Sequence, residues 1–453
     1  MDTKRFVKNV KDRVLTPIRL VMLSFFVIIV VGTGLLLLPF ATKQQGSLSF
    51  IDALFTATSA TCVTGLVVVS LHDEFTVFGQ VVVLLLVQLG GLGFMTLTST
   101  VYILIRHKIS LRKRLSMRED LSQPGMADLK KLTLDVIKLT VAAEITGALL
   151  LALGFSRYYG FGRSLWYGLF HSVTAFCNAG FDIVSGSSSL QTFSSDPYIL
   201  IVLALLIIIG GIGFVVVSDI FRAGSWRRLK LHTKVVLPTT LALIVVGTVC
   251  ILAAEYSNPA TLGKMNFGDK LVNAFFQSVT ARTAGFASID QGAMTDFSKT
   301  VTIVWMFVGA CPGGTGGGIK TTTLFVLLAT VYATIRQKKE IIIDMHSIGR
   351  ETLAKAATIF TLAVSVAVLS LMGLEICMHG RFAMSQLLFE QVSAYATVGL
   401  SEGITPSLNT GAKLILSLNM YMGRIGSFGF FMAFSSSVKA QAHVKYPEAG
   451  IIL

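Results

Sequence analysis

Long apolar runs alternate along this chain with shorter stretches in which polar residues break up aromatic and small ones. Apolar runs lie at about 18–40, 75–105, 131–155, 197–221, 235–255, 298–335, 352–378 and 411–437. Each is long enough to cross the hydrocarbon core of a bilayer as a helix. Eight helical spans are expected. Inside each successive pair lies a segment too short to cross and too polar for lipid: FIDALFTATSATCVTGL, SLWYGLFHSVTAFCNAGF, KLVNAFFQSVTARTAGF and AMSQLLFEQVSAYATVGL.

These four segments are copies of one pattern. Phe55, Phe170, Phe275 and Phe389 each stand ten residues before Gly65, Gly180, Gly285 and Gly399. A fixed internal period marks a repeat architecture, and four unequal walls in one chain are what a central pore requires. Each segment reads as a re-entrant helix that descends partway and returns through an extended strand. Such a strand cannot face lipid, because every unpaired peptide group there costs several kcal/mol. It can line a pore, where a cation takes the carbonyls in place of its lost water shell. The inward carbonyls would come from Cys62, Val63, Thr64 and Gly65; Cys177, Asn178, Ala179 and Gly180; Arg282, Thr283, Ala284 and Gly285; and Ala396, Thr397, Val398 and Gly399. Glycine at each turn permits positive φ and close approach of backbone to an ion. No Asp or Glu cluster accompanies these carbonyls. That disfavours a hard divalent ion, which wants several carboxylates, and favours K⁺ or another weakly hydrated monovalent ion. Thr64, Thr283, Thr397 and Asn178 are read as local loop supports.

The second apolar run of each pair carries glycines at QLGGLGF, IGGIGF, CPGGTGGGIK and GRIGSFGF. In the first two copies close helix packing is the simpler reading. The third copy is different in kind: Pro312, Gly313, Gly314, Thr315, Gly316, Gly317 and Gly318 cannot hold an ordinary helix. This break should lie near mid-membrane, below the carbonyl-lined strands, where it would act as a gate. Lys320 just beyond it, and Arg424 in the corresponding part of the fourth copy, are costly in lipid and should meet water or loop carbonyls.

Composition supports the membrane reading: 53% of 453 residues are hydrophobic and 14% charged. The formal net charge of +14 sits in short connectors, before the first run and at Arg106–Arg118, Arg222–Lys234 and Arg336–Lys339. That distribution follows the positive-inside rule and contact with anionic lipid, not nucleic acid. It places these connectors and both termini in the cytoplasm and the glycine loops on the outer side. The first run is too long for a signal-peptide core and lacks a small-residue cleavage site, so it is read as a retained helix. Cys62, Cys177, Cys250, Cys311 and Cys377 lie in or near apolar segments with no CxxC pattern, so no disulfide framework is expected. The seven histidines are dispersed without HExxH, and no catalytic constellation is visible. GGTGGGIK is not a phosphate loop, since Ile319 separates Gly318 from Lys320. Asp73, Glu74, Asp182, Asp290 and Glu402 lie near outward loops and could draw cations into a vestibule.

With ATCVTGL, FCNAGF, ARTAGF and YATVGL joined to CPGGTGGGIK and GRIGSFGF, the sequence resembles the Trk/Ktr/HKT potassium transporter superfamily, most closely the bacterial Ktr membrane subunit. The resemblance implies an all-α polytopic membrane protein of four M1–P–M2 repeats with pseudo-fourfold symmetry, eight spans and four re-entrant pore helices. The division would be a cytoplasmic segment 1–17, repeats at 18–105, 131–221, 235–335 and 352–437, linkers 106–130, 222–234 and 336–351, and a tail 438–453. It implies K⁺ uptake driven by the ion gradient and membrane potential, with the four glycines in the selectivity filter, Pro312–Lys320 as the gate loop and Arg424 facing the pore. It also implies a homodimer on a cytoplasmic ring of regulatory subunits that bind ATP or ADP, and an influence of sodium on uptake. All four filter glycines are present, where some relatives carry serine in the first copy, and this favours potassium over sodium. The alternative class is a secondary cation transporter that rocks between two access states. Four similar re-entrant segments favour a gated pore over that two-repeat design.

Overall fold

A computed structural model describes residues 17–44, 46–106, 126–185, 189–338 and 340–434, with side chains described outside 17, 93–106 and 126–132. The basic segment before the first helix, most of the first basic linker and the C-terminal tail expected as cytoplasmic lie outside the described residues.

The chain is helical almost throughout. In order come α1 (Pro17–Leu36), α2 (Phe50–Thr61), α3 (Val77–Arg106), α4 (Met126–Phe155), α5 (Phe161–Phe176), α6 (Pro197–Ile212), α7 (Phe214–Ala223) and α8 (Leu231–Glu255). Then follow α9 (Phe267–Thr280), α10 (Asp296–Phe307), α11 (Thr321–Ile335), α12 (Arg350–Met378), α13 (Met384–Tyr395), α14 (Thr410–Ile425) and α15 (Ser427–Phe434). A two-residue hairpin, β1 (Ile342–Ile343) with β2 (His346–Ser347), sits in the third linker, where Asp344 pairs with Lys234 at 2.7 Å.

Among the described residues four helices have the length and apolarity to cross a membrane: Ile18–Leu36, Thr133–Phe155, Leu231–Glu255 and Arg350–Met378. They are the first members of the four pairs, and their outer faces keep large apolar side chains such as Leu23, Phe26, Leu153 and Leu369 exposed. That is the surface lipid covers. The second members are less regular. Whereas α3 runs on, α6 and α7 are bent by 92° at Gly213, α10 and α11 are separated by the glycine-rich stretch, and α14 and α15 break at Gly426.

The short helices α2, α5, α9 and α13 are the buried ones. Side-chain caps start two of them: Ser49 accepts from the Asp52 amide and Asn266 from the Asp269 amide. Their last turns are wholly buried among the long helices. Phe55, Phe170 and Phe389 are fully enclosed as the repeat implies, but in the third copy the enclosed ring is Phe276, and Phe275 is only partly covered. Without a hydrophobic drive between helices in lipid, close backbone approach does the packing. The α-carbons of Gly90, Gly210 and Gly423 lie against the last-turn carbonyls of Thr61, Phe176 and Tyr395, with no room for a Cβ. Those glycines of the second helices let the short helices seat.

Candidate ion pathway

Each short helix ends in the same backbone turn. The residue two before the glycine has positive φ (Val63 58°, Asn178 59°, Thr283 74°, Thr397 52°), and so has the glycine itself (Gly65 94°, Gly180 63°, Gly285 83°, Gly399 96°). An L side chain is strained in that region, so glycine answers a geometric demand here. In three copies an amide reaches back to the helix: Thr64 to Ser59 O at 2.8 Å, Ala179 to Thr174 O at 2.7 Å and Val398 to Ser393 O at 2.8 Å. In the third copy Ala284 donates instead to Thr280 O at 2.9 Å. The Ser59 and Ser393 hydroxyls accept from the Gly65 and Gly399 amides at 3.1 and 3.0 Å.

The four turns meet. A Cβ on Gly65 would strike Ala179 O, one on Gly180 would strike Ala284 O, one on Gly285 would strike Val398 O, and one on Gly399 would strike Thr64 O. The sequence of neighbours closes on itself, first to second to third to fourth and back to first. All four glycines line one cavity of about 520 Å³, together with Val67, Ser70, Asp182, Asp290, Ser401 and Thr405. Of the outward acidic residues, Asp182 and Asp290 therefore reach the cavity. Glu402 is engaged by Lys299 at 2.8 Å, Glu74 accepts from the Ser47 hydroxyl, and Asp73 lies away on an exposed turn. Burial pushes the Asp182 carboxyl up to about 7, against the pull of the Val184 amide 3.2 Å away.

Asn178, Thr283 and Thr397 turn to neighbouring backbone and side chains, whereas the buried Thr64 hydroxyl, expected as a local support, makes no side-chain hydrogen bond to the described residues. With its amide nitrogen facing carbonyls, Asn178 donates to Ala175 O at 3.1 Å and Ile207 O at 3.2 Å, and accepts from the Thr283 hydroxyl at 3.3 Å. The Thr397 hydroxyl accepts from the Gly317 amide at 3.0 Å, and Gly316 sits against the Thr283 hydroxyl.

Those last contacts put the glycine-rich loop directly against the third and fourth turns. It is stitched on several sides: Cys311 N to Gly211 O at 3.1 Å, Thr315 N to Gly210 O at 3.2 Å, and Phe214 N to Gly313 O at 3.1 Å. The Thr315 hydroxyl donates to Phe176 O at 3.3 Å. Lys320 folds back over the loop, donating to Gly316 O at 2.7 Å and Gly317 O at 3.3 Å. Arg424, buried, spans from the loop to α3: it donates to Thr315 O, to Gly90 O and, at 3.3 Å, to Gly91 O. Lys320, through Gly316 O and Gly317 O, and Arg424, through Thr315 O, thus satisfy loop carbonyls that the missing helix turns would otherwise leave unpaired.

The Arg282 side chain was not legible as part of this assembly. Only its carbonyl has a place in the repeat, yet its guanidinium is buried with Nη2 3.7 Å from Cys311 Sγ at the start of the loop. The available signal was its size, since the matching positions hold Cys62, Cys177 and Ala396. Among the described residues no group of His, Cys, Asp and Glu could hold a metal ion.

Lipid-facing apolar helices around an interior of gathered polar loops define an integral membrane protein built to carry a solute across. The chain belongs to the TrkH family of cation transport proteins, whose sequence profile matches residues 5–446. It is a transporter and not an enzyme. It is 39% identical to the Ktr system potassium uptake protein B of Bacillus subtilis (strain 168), over 97% of this chain and 98% of that one. It is 37% identical to the potassium/sodium uptake protein NtpJ of Enterococcus hirae, over 98% and 99%. The crystal structure of the potassium transporter TrkH from Vibrio parahaemolyticus superposes with a TM-score of 0.71 at 19% identity, covering 92% of this chain and 84% of that one. That likeness establishes the fold.

Proposed function

We propose that the protein takes up potassium through a gated pore built from four M1–P–M2 repeats in pseudo-fourfold arrangement, driven by the ion gradient and membrane potential. The filter is formed by the backbone carbonyls of 62–65, 177–180, 282–285 and 396–399. Pro312–Gly318, held by Lys320 and Arg424, is the gate below it. The observation that carries this reading is the closed ring of four positive-φ glycines, each packed on the next turn's carbonyl, with the glycine-rich loop seated against the third and fourth turns. Carbonyl dipoles without carboxylates suit a monovalent ion, and uptake of potassium by the two bacterial relatives points the same way. The protein works as a homodimer with a cytoplasmic nucleotide-binding regulatory subunit of the Ktr type, which holds the ATP or ADP, and sodium modulates uptake; the Ktr-system relatives support a partner subunit, and the remainder follows from the family resemblance. The basic linkers and both termini face the cytoplasm.

The test is reconstitution of the purified chain in liposomes, with K⁺ and Na⁺ flux followed under an imposed voltage. Potassium flux that follows gradient and voltage supports the pore. Flux that saturates with a fixed counter-ion stoichiometry overturns it.

A further inference from the structure

Glu144 lies at the middle of the apolar stretch Thr133–Phe155 and is 8% exposed. A carboxyl there is expensive, and an ionisable residue inside a membrane helix calls for a partner and a purpose. Its partners come from two other elements. Gln88 of α3 donates from Nε2 to Glu144 Oε2 at 3.2 Å. Cys177, the first residue of the second loop of the ring, places Sγ 3.9 Å from Glu144 Oε1 and 3.6 Å from Gln88 Oε1.

The thiol has little freedom. On its other side Gly91 of α3 approaches so closely that a Cβ there would lie 2.7 Å from Cys177 Sγ. The Glu144 backbone is fixed as well, because its carbonyl accepts from the Ser172 hydroxyl of α5 at 2.7 Å. Glu144 therefore pins α3 and the second loop to one wall. Among the described residues the matching side chains of the other loops have different surroundings: Cys62 packs among Leu416 and Met420, Arg282 meets Cys311, and Ala396 meets Gly318.

We infer that Glu144 is a positioning residue for ion selection: through Gln88 and Cys177 it sets the place of the Cys177–Gly180 carbonyls in the ring. Carbonyls tethered on a buried hydrogen-bonded frame hold a cavity of fixed size; released, they follow either cation. The α3 helix that carries Gln88 also offers Gly90 O and Gly91 O to Arg424, so the frame touches the loop below as well. This inference rests on the pore reading above.

The experiment measures initial K⁺ and Na⁺ uptake into liposomes by the full chain, normalised to inserted, monodisperse protein. Glu144→Ala should lower the K⁺/Na⁺ uptake ratio about fivefold, the size expected for residues coupled in one network. Glu144→Gln, which keeps a planar hydrogen-bonding group, should restore most of it. Cys177→Ala should act in the same direction, and combining it with Glu144→Ala should add little. A structural role alone would reduce both ions in proportion and leave the ratio unchanged; that result, or independent effects that multiply in the double variant, overturns the inference. If Glu144→Ala does not insert, the ratio is read on Gln88→Leu and Cys177→Ala, and a native ratio in both overturns it equally. Native flux that saturates with a fixed counter-ion stoichiometry removes the pore reading and this inference together, whereas a native protein that passes K⁺ and Na⁺ equally removes this inference alone.

Discussion

Replacing Arg424 by Met removes a guanidinium while keeping most of the side-chain volume. The native side chain donates to Thr315 O on the glycine-rich loop and to Gly90 O and Gly91 O on α3, all buried. A hydrogen bond from a charged donor contributes a net ~1.5–3 kcal/mol. If that energy favours the loop in place over the loop withdrawn, its loss shifts the ratio of the two states roughly tenfold to a hundredfold. Potassium flux per inserted molecule should rise while the closed state still dominates. Loss of a cation beside the passage would raise flux too, so a second variant is needed to separate the causes. Arg424→Lys keeps the charge but cannot span both carbonyl groups with a planar fork. Increased flux in both variants identifies a latch, and an increase in Arg424→Met alone identifies electrostatic repulsion. Unchanged or reduced flux in Arg424→Met, with normal insertion by size-exclusion chromatography, refutes the reasoning.

Gly180→Ala sets a methyl group against Ala284 O at a φ of 63°, with backbone strain of about 1–3 kcal/mol; uptake assays should show lost discrimination between K⁺ and Na⁺. Gly210→Ala drives a methyl group into Phe176 O beneath the second short helix, an overpacking of about 1–3 kcal/mol that should lower the thermal midpoint in detergent. Asp182, whose carboxyl burial raises to about 7, carries its charge above that pH and loses it below. Uptake at limiting external K⁺ should therefore fall as external pH drops from about 8 to about 6, and Asp182→Asn should be low and flat across that range. The same shift weakens the fold as pH rises from the ordinary carboxylate range through 7, because the native state holds the proton that the unfolded chain has released.

The repeat was legible because a closed ring imposes the same backbone conformation four times, and only glycine meets it cheaply; Gly65, Gly180, Gly285 and Gly399 therefore stand out by spacing alone. The break at Pro312–Gly318 was legible for a related reason, since no helix interior tolerates that composition. Other features depend on contacts between distant parts of the chain. The bend at Gly213 is one, because IGGIGF reads as packing until Gly313 O is found accepting from Phe214 N. Phe276 taking the enclosed place of Phe275 is another, as is the turn of Arg282 toward Cys311. Gln88 and Glu144 are 56 positions apart, and nothing local in either neighbourhood announces their pairing.

In a channel assembled from identical subunits, any device on one wall is copied onto every other. Four glycine-rich insertions or four arginines crowded about one narrow axis would collide or repel. On the proposed four-repeat reading the quarters are covalently joined and have diverged, so Pro312–Gly318 occurs once and meets a single Arg424 from the adjoining quarter. A substitution on either partner changes one set of contacts and is not copied four times, so on the proposed pore reading throughput can be graded more finely than in a symmetric assembly.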